Sequence, residues 1–155
     1  MAEIETAGGS GAGHGGRGAE LVKAVLLASE DLDDDNHAEA VRLLQGRDPL
    51  ATLDLSLYEV TNVAMRSWRD RAAAHRLGQR IEALAEDGGM LRADGSLLAT
   101  AASIADDFGI SVHDAAYVAA ARHSGAQLVS CDVRDLVSRG LAVLPVGAGS
   151  ARSNL

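Results

Sequence analysis

The feature that most constrains this chain is an alternation. Short apolar runs of strand length recur between longer segments with helical spacing, and no tight hairpin signal joins one run to the next. Residues 21–28 (LVKAVLLA), 50–55 (LATLDL), 127–130 (QLVS) and 141–146 (LAVLPV) read as strands. Residues 37–44, 56–68, about 72–85, 96–108, 112–123 and 133–139 read as helices, with Gly88-Gly89, Gly109 and Gly140 as stops. Strands separated by helices need right-handed crossovers, which place the strands parallel and cover both faces of the sheet. The expected fold is therefore a three-layer α/β/α domain around a central parallel sheet of four or five strands.

In such sheets ligands sit beyond the carboxyl ends of the strands, where the following helices begin. Three junctions there carry acids. Ser56-Leu-Tyr-Glu59 opens one helix, Ser111-Val-His-Asp114 opens another, and Asp132 directly follows the apolar strand, with Asp135 three residues on. Ser-x-x-Glu and Ser-x-x-Asp are also capping boxes, and capping accounts for each acid taken singly. Taken together, several carboxylates converging at one sheet edge repel one another unless they share a cation, and hard oxygen donors in that number suit Mg2+ or Mn2+.

The sequences flanking these acids add to this reading. Residues 57–64 (LYEVTNVA), 108–121 (FGISVHDAAYVAAA) and 128–136 (LVSCDVRDL) resemble, in the right order, PIN domains, and within them the VapC-like toxins of toxin-antitoxin pairs. The resemblance covers about residues 20 to 146. It implies a PIN-like fold and a metal-dependent endoribonuclease whose catalytic, metal-binding acids are Glu59, Asp114 and Asp132, with Asp135 as a further ligand and Ser130 as a supporting hydroxyl. It also implies an RNA substrate, an antitoxin partner and a homodimer. Asn62, one turn beyond Glu59, is placed to support the site, and Arg66 and Arg69 to contact RNA.

One corner of the pattern departs from the family, whose first strand normally ends in an aspartate. Aligning Val25-Leu-Leu-Ala28 with the aliphatic residues that follow it puts Val22 at the aspartate position and Lys23 next to it. Three explanations stand open: a substitute acid (Glu20, or one of Glu30, Asp31 and Asp33), a degenerate domain that binds partners without turnover, or an altered N-terminal sequence.

Charge and composition exclude other classes. The formal net charge of -8 argues against general attraction to polyanions, but Arg66, Arg69, Arg71, Arg76 and Arg80 make a local basic stretch. Cys131 is the single cysteine, so no internal disulfide forms, and with no apolar run of membrane-spanning length the chain is expected to be cytoplasmic. Lys23 is the only lysine and lies early, which excludes a phosphoacceptor receiver that needs a late one. No nucleophile elbow and no zinc-type spacing occurs. Residues 1–18 read as a flexible glycine-rich tail whose G-x-G-x-x-G precedes any strand, residues 19–149 as the domain, and 150–155 as a C-terminal tail. With aromatics at 3%, Ala, Leu and Val must build the core.

Overall fold

The computed structural model describes residues 19–148; the expected tails at 1–18 and 150–155 lie outside the described residues. Four strands, β1 (Glu20–Lys23), β2 (Leu50–Leu53), β3 (Met90–Leu91) and β4 (Gln127–Ser130), form one parallel sheet in the order β3-β2-β1-β4. The central strand β1 pairs on both edges, matching Leu21 to Ala51 and to Leu128, and Lys23 to Ser130. Paired on both sides and covered on both faces, it is buried from end to end.

The helices are α1 (Val25–Glu30), α2 (His37–Gln45), α3 (Leu55–Asn62), α4 (Arg71–Glu86), α5 (Gly95–Phe108) and α6 (Val112–Ser124). One face of the sheet packs Leu21, Leu53 and Leu128 against α5 and α6. The other packs Val22 and Val129 against Val25 and Ala28 of α1 and Ala40 of α2. A third apolar cluster joins Leu26 to Val60, Leu77 and Ile81, and so ties α1 to α3 and α4. The three-layer expectation holds, and the scarcity of aromatics is answered by α6, whose Ala115, Ala116, Ala119 and Ala120 are buried and let the helix approach the sheet closely around the single large side chain Tyr117.

Four local expectations need correction. The apolar run 21–28 is not one strand: β1 stops at Lys23, Ala24 turns the chain in a left-handed conformation (φ 61°), and α1 begins at Val25. A fully apolar run does not distinguish a buried strand from a buried helix. The strand expected at 141–146 shrinks to a parallel bridge between Val129 and Val143, because Pro145 has no N–H to offer the ladder and opens a 3-10 turn. The helices expected at 56–68 and 133–139 end or consist in π-helical turns, Val63–Ser67 and Val133–Val137. Finally, the pattern gave no sign of the two-residue β3. It is reached through Gly89, where an added Cβ would lie 2.3 Å from the Leu50 carbonyl oxygen, so only glycine lets the chain come alongside β2.

Candidate metal and nucleic-acid site

All four candidate acids lie at the carboxyl edge of the sheet, and each is set there by a local device. Ser111 caps α6 by accepting the Asp114 N–H at 3.0 Å. Ser130, fully buried at the end of β4, accepts the Asp132 N–H at 3.0 Å, and Asp132 in turn caps the following turn by accepting the Asp135 N–H at 3.0 Å. Glu59 stands one turn into α3, above Ser56. Asp114, Asp132 and Asp135 each bring one carboxylate oxygen to within 4.8 Å of the others. Oxygen ligands about 2.1 Å from Mg2+ lie roughly 3 to 4 Å from one another, so this triplet suits a hard divalent cation in donor chemistry and, with small side-chain shifts, in spacing.

Glu59 is not part of that triplet. Its Oε1 lies 3.4 Å from the Lys23 ammonium, and its Oε2 accepts from the Tyr117 hydroxyl at 3.3 Å and faces His113 Nε2 at 3.5 Å. Lys23 also reaches Asp114 Oδ1 at 3.2 Å and lies 5.5 Å from the centre of the Tyr117 ring. Burial by itself would lower the pKa of this lysine, which is 7% exposed, but the charges of Glu59 and Asp114 outweigh it and hold the pKa above the ordinary value. Val22, which the sequence alignment placed at the missing corner, is instead packed in the core, and the residue at the strand's end that faces the acids is Lys23.

Behind Glu59 runs a line of buried hydroxyls. Thr52 donates to the Val22 carbonyl at 2.9 Å, which leaves Ser56 to donate to Thr52 at 2.5 Å and Tyr117 to donate to Ser56 at 2.7 Å. The same Tyr117 proton faces Glu59, so it is divided between the two, and the longer 3.3 Å contact is the weaker arm. Burial first, and then the Glu59 charge, push the Tyr117 pKa far up, so the phenol remains a donor.

The other sequence candidates are spread around this centre. Asn62 is exposed at the end of α3, and Arg66 and Arg69 are exposed on the π-helical turn and just after it. Arg76 and Arg80, part of the same basic stretch, are engaged: both pair with Glu30, at 3.3 and 3.5 Å, and Arg80 donates to Ser29. The Cys131 thiol is pushed up to about 11, mainly by burial and then by Asp34, which agrees with a packing role rather than a nucleophilic one. Sequence reasoning passed over Lys23 and His113 as site residues. The signal for Lys23 was present, as the only lysine in the chain, set inside an apolar run.

Comparison with known proteins bears on the fold and the family. No curated protein matches the chain in sequence. Among solved structures, a toxin-antitoxin complex from Klebsiella pneumoniae superposes with a TM-score of 0.60 at 14% identity, covering 81% of this chain and 97% of that one. FitAcB from Neisseria gonorrhoeae gives 0.59 at 20% identity over 82% and 98%. Mycobacterium tuberculosis VapC20, a sarcin-ricin loop cleaving toxin, gives 0.55 at 21% identity over 72% and 86%. These likenesses establish the fold. The sequence profile of the PIN domain matches residues 23–139, from the lysine at the crevice to just past the turn Val133–Val137, and the chain therefore belongs to the PIN domain family.

Proposed function

We propose that this chain is the toxin member of a toxin-antitoxin pair and cuts RNA phosphodiesters with a divalent cation, Mg2+ or Mn2+, held by Asp114, Asp132 and Asp135. The observation that carries the reading is the convergence of these three oxygens within 4.8 Å at the carboxyl edge of a parallel sheet. When bound, such an ion activates water for attack on a phosphodiester and stabilises charge on the phosphate. The chain's own part is placement. Ser111 and Ser130 hold the backbone N–H groups of Asp114 and Asp132, and the exposed Arg66 and Arg69 offer charge to an RNA backbone running past α3, beside Asn62. Glu59 anchors Lys23 next to Asp114.

The toxin-antitoxin neighbours support an antitoxin as the partner, and a homodimer and a cytoplasmic setting follow from the same reading. No helix among the described residues is long and apolar enough to cross a membrane. A second reading, a PIN domain that binds partners without turnover, is favoured by one observation: the residue that faces Glu59 and Asp114 from the end of the first strand is a lysine and not an acid.

Cleavage of structured RNAs by the purified, partner-free chain, with Mn2+ or Mg2+ added, separates the two. Activity lost in Asp114→Asn supports the nuclease. Equal background from both proteins leaves only the binding module.

A further inference from the structure

We infer that Lys23 is a built-in cation: its ammonium permanently fills the position between Glu59 and Asp114, so the crevice takes at most one divalent ion, on the Asp132 and Asp135 side, and Glu59 is a lysine anchor and not a metal ligand. Only the placement of that one ion rests on the function proposed above.

Lys23 cannot be read as a surface lysine that happens to lie nearby. Its side chain is 7% exposed, and it contacts Glu59 at 3.4 Å and Asp114 at 3.2 Å. Its backbone belongs to the central strand, in register with Ser130, so the root of the side chain is fixed. Glu59 has no oxygen left over: Oε1 faces the ammonium, and Oε2 faces the Tyr117 hydroxyl and His113. The group of acids with spacing suited to a metal accordingly leaves Glu59 out.

Charge gives the same result. Four carboxylates at one sheet edge call for more than one positive charge, and here one such charge is covalently attached and does not dissociate. A divalent ion entering between Glu59 and Asp114 would have to displace the ammonium or sit against it. An ion held by Asp114, Asp132 and Asp135 shares only Asp114 with the lysine. It follows that the Glu59 half of the crevice is assembled in the absence of any divalent ion.

The test uses the full chain and the metal alone. Mn2+ binding is titrated for the natural protein, Glu59→Gln, Lys23→Asp and the double variant. We expect no more than one Mn2+ per natural chain, an affinity unchanged within about twofold in Glu59→Gln, a gain of about tenfold or more in Lys23→Asp, which removes the ammonium, adds an oxygen ligand and frees Glu59, and a smaller gain in the double variant, which lacks the freed Glu59. A natural chain that binds no Mn2+ while Lys23→Asp binds it leaves this inference standing and overturns the proposed cleavage. Loss of about tenfold in Glu59→Gln alone, or no gain in Lys23→Asp, overturns the inference.

A measurement on the natural protein keeps the test open should Lys23→Asp fail to fold. Because Lys23 is the only lysine, acetic anhydride labelling of side-chain amines reports on it alone. Labelling about tenfold or more slower than in the unfolded chain, and unaltered by saturating Mg2+, is the expected result. Fast labelling, or labelling accelerated by Mg2+, shows the ammonium to be free or displaced and overturns the inference.

Discussion

The two sides of the crevice are built on opposite principles. On the α3 side, Glu59 is enclosed by Lys23, Tyr117 and His113, and a line of hydroxyls behind it ends on the backbone of β1. On the β4 side, Asp132 and Asp135 are half-exposed, and their placement comes from backbone caps at the start of a helical turn. The first side is satisfied by the protein itself; the second presents oxygens to whatever enters. In a buried network each group matters to stability, because a partner removed leaves a desolvated group behind. A capped, half-exposed carboxylate matters less to stability and more to what it binds.

The sharpest way to break this contrast is Lys23→Met. It leaves Glu59 and Asp114 as close like charges with no cation, and should cost about 3–5 kcal/mol in urea unfolding under chelating conditions. A loss below about 1 kcal/mol, the range of exposed pairs, would mean that the ammonium does not hold this side together. Asp132→Ala probes the other side and should show the reverse balance. Cleavage should fall about 100-fold or more, equivalent to roughly 2.7 kcal/mol, while stability drops by only about 1 kcal/mol from the lost cap. Equal effects on both readouts would erase the distinction between the two sides.

Tyr117→Phe removes the proton shared by Ser56 and Glu59 and should destabilise by about 1–2 kcal/mol, with Mn2+ affinity unchanged. A fall in Mn2+ affinity would place Glu59 among the metal ligands after all. The smallest effect is expected at Ala24, whose left-handed turn lets the chain leave β1 just past Lys23 and enter α1. Ala24→Gly relieves that conformation and should raise stability by about 1 kcal/mol. A loss instead would show that the turn is not strained.

Much of this architecture is legible in the residues. The alternation of apolar runs with helical segments anticipated the parallel sheet, and Gly109 and Ser111, as C-cap and N-cap, bound their helices where the pattern placed them. The short pieces were not legible. Met90–Leu91 is too brief for any periodicity, and Val143 pairs only because β4 lies beside it. The site followed the same division. Asp114, Asp132 and Asp135 were found by their junctions and flanks, and the structure brings them together. Lys23 was read as one residue past the missing corner, because the apolar run around it hides the turn at Ala24 that ends the strand there.

The sequence alone thus fixes the alternation of strands with long helices, the three-layer arrangement and the edge of the sheet where the acids collect, since these depend on periodicity and on local capping chemistry. Only the tertiary structure decided which acids are neighbours and what lies between them. That depends on strand register and on side chains meeting from β1, α3 and α6, and pairwise distance across a fold is not encoded in any one segment of it. For this protein the outcome is specific: three aspartates face one another, while the glutamate of the same sequence signature turns to a lysine.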